Sequence, residues 1–469
     1  KASGYDVANS ARFGNIDGAG TANDTLTRTP SGASNRKTFT ISFWMKRSEL
    51  QTGDTLQQVI GQQATGYFRL TLGSNEQGDI FRFYGGDGFE FRSKIFVRDV
   101  AAWYHVVLAM DTTQGTEANR AKLYVNGVQQ TEFYTANYPG QNVDQAWNIA
   151  SEHRIGSGTS AGGGFAGYLC EVINIDGAAL DPTSFGEVDS DSGIWKPKDV
   201  SGLTFGTNGF YLDFADSGDL GDDESGNGND FAETGLDATH QSTDTCTNNF
   251  CVMNSLENYY QAATLTEGNL KLLTATTSNT APSLATFALT KGKWYYEAKY
   301  VSDSLAVSSG AIGIVGTQVL GASNSAMLET AQKYGLYLND GNIWHNNSKV
   351  QDLGSHIDHT ATIGISLDFD NNRITFSKNG GWGDGSGNWD EAAPNTFYTV
   401  AAPSAVDFKA YFPAFGDWSS GSIGYEINFG APMYAISSSN SDADGFGNFE
   451  YPVPSGHFAI CTKNLAEYG

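Results

Sequence analysis

Trp344 is followed by His345, Asn346 and Asn347, and a glycine-rich run from Gly380 to Asn388 holds Trp382 and Asp384 and leads into Trp389. A flat indole offers an apolar platform to the C–H face of a sugar ring, while amide and carboxylate groups beside it satisfy the hydroxyls. Trp344, His345, Asn346, Trp382, Asp384, Asn388 and Trp389 are therefore the candidate ligand-binding residues. The same indoles have a structural reading as plugs for the open ends of a β-sandwich, because tryptophan is usually well buried.

A second group is rich in oxygen ligands. Asp219, Asp222, Asp223, Asn229 and Asp230, with Asn227, are the densest such cluster in the chain. Calcium takes several carboxylate and amide oxygens on a flexible backbone, so it is the one cation these residues would suit; no other cofactor is called for. The spacing lacks the terminal Glu of the twelve-residue calcium loop, and acidic Asn-Gly loops also form without metal.

Catalytic groupings fail at identifiable points. Glycoside hydrolysis needs two carboxylates roughly 5–10 Å apart across the sugar. The nearest approach to a strand-borne Glu-x-Asp-x-x-Glu pattern, Glu187-Val188-Asp189-Ser190-Asp191-Ser192, lacks its final Glu. No Gly-x-Ser-x-Gly elbow stands between a strand and a helix. His356, Asp358 and His359 read as a solvated turn rather than a metal site, and His105 as an outward strand residue. Cys170 and Cys461 read as buried thiols; Cys246 and Cys251 are near enough in sequence for a disulfide or two free thiols. The catalytic set is empty, and a non-enzymatic protein is expected.

These side chains must be positioned by strands. Ile363, Ile365, Leu367 and Phe369 alternate with small or polar residues, Asp370-Asn371-Asn372 turns the chain, and Ile374 and Phe376 resume the period of two before Asn379-Gly380. The same grammar occurs from Trp103 to Asp111 and from Ala121 to Gly127. Thr38–Lys46 puts Phe39, Ile41, Phe43 and Met45 on one face, and Lys293–Tyr300 puts Trp294, Tyr296 and Ala298 on one face with Tyr295, Glu297 and Lys299 on the other. Asp181-Pro182-Thr183-Ser184 reads as a capped helical turn.

With 56 glycines, aromatics at 13% and polar turn residues between the apolar runs, the chain reads as all-β. Its 469 residues exceed one ordinary core, so two domains are expected. A net charge of −25 repels nucleic acid and anionic membrane surfaces. No apolar run reaches the roughly 18 residues of a membrane span, so no membrane insertion is expected. The chain starts at Lys1-Ala2-Ser3-Gly4 without Met or a basic-then-apolar leader, which reads as a trimmed end.

Two stretches resemble known families. FTISFWMKRS, the WYHVVLAMD and AKLYVNGV pair, and GYLCEVINIDGAALDPTSFGE, in that order over residues 36–188, resemble the laminin-G-like jelly roll of the concanavalin-A type. KWYYE, GIVG, YGLYLNDG and GISLDFDNNRITFSKNG, over residues 265–430, resemble the SPRY domain. The resemblances imply two concanavalin-A-like jelly-roll β-sandwiches in tandem: residues 1–200, an acidic Gly- and Asn-rich connecting segment with one strand at 201–250, and an SPRY-like sandwich with a C-terminal extension at 251–469. They also imply binding through rim loops.

Ala8–Phe13, Ser31–Lys37, Thr247–Phe250, Ile427–Gly430 and Cys461–Leu465 together resemble virion proteins of marine bacteriophages, in which such sandwiches occur in tail fibres. That combination implies a structural virion component, made in the host cytoplasm. Its partners would be other virion proteins, copies of itself in a homo-oligomer, and a host-surface glycan or receptor. The competing expectations are a secreted bacterial lectin or adhesin and a polysaccharide-degrading enzyme of the same sandwich type.

Overall fold

The structure, a computed structural model, describes residues 4–14, 24–50, 56–62, 66–73, 78–157, 163–257, 262–275, 282–303, 309–318, 326–418 and 422–469. The chain divides into two compact units, Lys1–Asn248 and Asn249–Gly469. Among the described residues the one α-helix is Thr462–Tyr468, and no helix is long and apolar enough to cross a membrane.

The first unit packs two eight-stranded sheets face to face. One runs Val128–Gln129, Ala121–Val125, Trp103–Asp111, Thr38–Arg47, Gly167–Asp176, Ser10–Phe13 and Gln241–Ser242, with Phe210–Leu212 also paired to Gly167–Asp176. The other runs Phe133–Asn137, Glu90–Phe96, Ile80–Gly85, Phe68–Leu72, Gln57–Gln62, His153–Ile155, Thr25–Arg28 and Ala232–Thr234. Period-two alternation sends Phe39, Ile41 and Phe43 of the first sheet and Phe68, Leu70, Phe81, Phe83 and Phe91 of the second into one core. The turn at Asn126-Gly127 needs φ of 48° and 78°, which Asn and Gly tolerate, and the Asn126 side chain accepts the His105 N–H at 2.8 Å. Asp181 caps the Pro182–Ser184 turn as its sequence predicts, accepting the Thr183 N–H at 2.9 Å.

Residues 201–250 supply three strands to this unit, Phe210–Leu212, Ala232–Thr234 and Gln241–Ser242. Phe210, Leu212, Phe214, Leu220 and Phe231 join its core. The outer face of the first sheet is also covered. His105 points outward but is only 1% exposed, stacked on Trp44 at 4.7 Å and accepting the Trp195 indole N–H at 2.9 Å. Burial pushes its pKa down to about 3, so it stays neutral.

The second unit packs a ten-stranded sheet against a six-stranded one. The first runs Thr264–Thr266, Lys271–Leu273, Ile423–Asn428, Lys293–Asp303, Thr362–Asp368, Arg373–Lys378, Gly381–Gly383 and Trp389–Glu391, with Tyr398–Thr399 and Phe458–Ala459 as side branches. The second runs Ser283–Leu284, Phe412–Asp417, Gly310–Val315, Lys333–Tyr337, Asn342–His345 and Ser348–Gln351. Trp294, Tyr296, Ile365, Leu367 and Phe376 meet Ile312, Ile314, Leu336, Ile343 and Phe415 between the sheets. The central hairpin pairs Ile365 with Phe376 and Leu367 with Ile374, and Asp368 ties its turn by accepting from Asn371 and Arg373.

The opposite face of the Lys293–Asp303 strand is covered around Tyr295 and Glu297. The C-terminal extension lies over it, placing Phe449, Ala459 and Cys461 against Tyr295. Glu297, fully buried there, accepts the N–H groups of Glu450 at 2.9 Å and Tyr451 at 2.8 Å and the Tyr295 hydroxyl at 2.8 Å.

Candidate functional site

Strand parity decides which aromatics of the second unit can reach a ligand. In Lys333–Tyr337 and Asn342–His345, the alternation that buries Tyr334, Leu336 and Ile343 in the core turns Tyr337 and Trp344 to the outer face of the six-stranded sheet. Trp344 is half-buried there, edge-on to Trp418 at 5.1 Å and to Tyr337 at 5.9 Å, and Tyr337 is 5.2 Å from Trp418. The Trp344 indole N–H donates to Asp340 Oδ2 at 2.9 Å. The result is three partly exposed rings fixed at steep mutual angles beside a carboxylate. Rings held this way lose little freedom on binding and present apolar faces next to a hydrogen-bond acceptor.

His345, the next residue, faces the other side. Its ring lies on Tyr334 at 4.2 Å and 1°, and its Nδ1 is 3.1 Å from the Lys333 carbonyl. Asn346 occupies the exposed turn with φ 50°. Trp344, His345 and Asn346 are therefore contiguous in sequence but divided between two sheet faces and a turn.

The Gly380–Trp389 stretch divides as well. Trp382 is 4% exposed, enclosed with Tyr295, Phe449 and Ala431 beneath the C-terminal extension. It is a packing residue and offers no sugar platform, because the extension covers the face that a bare strand would expose. Trp389 lies across Gly354, whose replacement by any residue with a Cβ would put that atom 2.0 Å from the indole, and donates to the Ser355 carbonyl at 2.9 Å. Asp384 closes the intervening loop by accepting from Ser386 N at 2.6 Å, Asn388 N at 3.0 Å and Asn388 Nδ2 at 2.9 Å. Hydrogen bonds from Asn388 and then Ser386 hold its carboxyl below the usual carboxylate range. Trp389, Asp384 and Asn388 thus form a self-bonded rim loop, joined to the strand of Trp344 through Leu353–Ser355: Leu353 N donates to Asn342 Oδ1 at 3.1 Å, and Gly354 N to the Gly341 carbonyl at 3.1 Å.

Tyr337, Trp418 and Asp340 were not among the residues selected from sequence. Tyr337 was legible from the parity of YGLYL, whereas Trp418, adjoining the buried Phe415 and Asp417, reads as core in sequence and is half-buried in the structure.

The acidic cluster of the first unit spends its oxygens on the backbone. Asp223 accepts from Tyr211 N, Ser225 N, Ser225 Oγ and Asn229 N, all within 3.0 Å. Asp230 accepts Asp223 N at 3.2 Å, and Asp219 accepts Gly221 N at 3.2 Å. The Asn229 amide donates to the Thr207 and Gly209 carbonyls, and its oxygen accepts from Arg28. Burial and then the charges of Asp230, Asp219 and Asp216 push the Asp222 carboxyl up. Among the described residues no group of three His, Cys, Asp or Glu is arranged to hold a metal ion, and these hydrogen bonds make the segment a turn that fastens Phe210–Leu212. His356 and Asp358 lie exposed, 3.4 Å apart. All four cysteines are free thiols; Cys246 Sγ lies 3.6 Å from Cys170 Sγ.

Glu187 and Asp189 belong to the outlying Gly186–Val188 and Trp195–Pro197 ribbon and its turn, where both reach Lys196, at 3.4 and 3.1 Å.

Residues 20–181 match the family model of the concanavalin A-like lectin/glucanases superfamily, and residues 293–430 match that of the SPRY domain. A comparison with curated proteins finds no match. Among solved structures, the SPRY domain of human HERC1 is 16% identical, with 34% of this chain and 87% of that one covered and a TM-score of 0.24. A heptameric SAP-like pentraxin from Limulus polyphemus is 14% identical, covering 38% and 79%, with a TM-score of 0.28. Domain 4 of AbnA, a GH43 extracellular arabinanase from Geobacillus stearothermophilus, is 18% identical, covering 32% and 65%, with a TM-score of 0.24. Each of the two antiparallel sandwiches thus has a family-model match, the first to the concanavalin A-like lectin/glucanases superfamily and the second, in tandem, to the SPRY domain.

Proposed function

We propose that this protein is a non-enzymatic binding component of a bacteriophage particle, on a tail fibre, appendage or capsid exterior, which engages a host-surface glycan or receptor through its second unit. The observation that carries the binding half is the Tyr337–Trp344–Trp418 cluster beside Asp340, an aromatic surface left partly open on a sheet whose other face is core. Its geometry suits stacking on a sugar with a carboxylate for the hydroxyls. Trp389 and the Asp384–Asn388 loop form the neighbouring rim. Both matched domains are of binding folds, which supports a role without catalysis, and Glu187 and Asp189 are engaged by lysine rather than facing each other across a groove.

The virion half rests on the short segments from Ala8 to Phe13, Thr247 to Phe250 and Cys461 to Leu465 in combination. Partners are then other virion proteins and copies of this chain, which would assemble through sandwich surfaces or edges. Labelled antibody against the chain should decorate intact particles at a symmetric set of positions; a chain recovered only as a secreted bacterial product would replace this assignment with that of a lectin or adhesin. A glycan array should return a ligand for the purified protein without sugar release. Release of sugar from host glycans would instead make it a polysaccharide-degrading enzyme.

A further inference from the structure

The second sheet of the first unit has an outer face unlike the rest of this acidic chain, in which 52 Asp and Glu outnumber 27 Lys and Arg. Because Phe68, Leu70, Phe81, Phe83 and Phe91 point into the core, their neighbours point out. Register places them in two rows. Arg154 is opposite Gly61, Gly61 opposite Arg69, Arg69 opposite Tyr84 and Tyr84 opposite Glu90; in the next row, Thr71 is opposite Arg82 and Arg82 opposite Arg92.

Four guanidiniums thus share one face with two carboxylates. Glu90 Oε1 accepts from both Arg82 Nε at 2.7 Å and Arg92 Nε at 2.9 Å, and Glu152 accepts from Arg154 at 2.6 Å. Arg82 lies 4.1 Å over the Tyr84 ring and Arg69 4.8 Å over the Tyr67 ring, so the cations and the aromatic faces are held together. Two polar atoms in this patch have no hydrogen-bond partner although they are buried: Arg69 Nε and the hydroxyl of Thr71, a residue 2% exposed. A buried donor and a hydroxyl left open cost stability, and a ligand oxygen reaching them would recover it. Gly61, between Arg154 and Arg69, is a point of close packing, where a Cβ would press on the Phe68 carbonyl at 2.9 Å.

We infer that this face is a second binding surface, for an acidic polysaccharide whose uronate carboxylates dock on Arg69 in one row and on Arg82 and Arg92 in the next, and whose sugar rings lie on Tyr67 and Tyr84. The guanidinium fork matches a carboxylate in two hydrogen bonds, and the tyrosines supply what a sugar needs beyond charge. The net charge of −25 opposes a polymer as densely charged as nucleic acid, whereas a uronate at each sugar is a sparser match for these few arginines.

The test is affinity electrophoresis of the full chain through gels containing polygalacturonate, dextran or polyglutamate, at two salt concentrations. Polygalacturonate should retard the parent, dextran and polyglutamate should not, and added salt should weaken the effect. An Arg69→Ala/Arg82→Ala chain with unchanged circular dichroism should bind on the order of tenfold more weakly. Trp344→Ala should leave this retardation intact, which separates it from the site in the second unit. Should the double substitution unfold the protein, Arg69→Lys, which keeps the charge and removes the fork, should show the same weakening. Unchanged retardation in a folded arginine variant, or equal retardation by dextran, would overturn the inference; equal retardation by polyglutamate would reduce the face to a bare charge surface and overturn the sugar assignment.

Discussion

Glu171 is buried, at φ 52°, where the Gly167–Asp176 strand shifts register between Cys170 and Ile173. The Tyr211 hydroxyl donates to it at 2.9 Å and the Tyr5 hydroxyl at 3.3 Å. Burial outweighs these bonds and pushes its pKa from 4.5 up to about 7. Between those two values the folded protein holds a proton that the unfolded chain has released, so this group's contribution to stability falls as pH rises through that window and is flat above it. Glu171→Gln removes the penalty. The variant should gain about 3 kcal/mol over the parent at pH 8 and nothing below about pH 4.5, as read by urea denaturation across pH. A difference independent of pH would show that the carboxyl does not titrate there. Nothing in GYLCEVINID marks this bulge, because alternation alone assigns Glu171 to one face and is silent on an extra residue in the strand.

Among elements, the strands were the legible part and their coverings were not. FTISFWMKR, WYHVVLAMD and GISLDFD are strands as their alternation predicts, since one residue in two had to meet a core. Trp382 was not legible, because what buries it, Phe449 and the segment around it, lies more than sixty residues further along the chain. The same holds for His105 under Trp195, and for the acidic loop whose carboxylates close backbone turns. At this scale the Leu353–Ser355 segment offers a clear test. A methyl at Gly354 would lie 2.0 Å from the Trp389 ring, so Gly354→Ala should expel the indole from Ser355 and cost about 1–3 kcal/mol, with a red-shifted Trp fluorescence. Unaltered emission and stability would mean that this rim loop adjusts freely and does not hold Trp389 in place.

Taken whole, the chain repeats one solution twice: two antiparallel sandwiches, each with its own core of inward-facing aromatic and branched residues, and each with one aromatic-bearing outer face left partly uncovered. If both sandwiches bind, two weak contacts on one molecule reinforce each other when both can engage. On the proposed function, ligand recognition in the second unit runs through Trp344 and its ring neighbours, while Trp382 is a packing residue. Isothermal titration of the array-selected glycan into the parent, Trp344→Ala and Trp382→Phe chains, each with parent-like circular dichroism, distinguishes the two roles. Trp344→Ala should lose about tenfold or more in affinity, and Trp382→Phe should keep the parent's affinity. Parent-like affinity in Trp344→Ala, or no ligand for the parent at millimolar concentration, would contradict the proposed function.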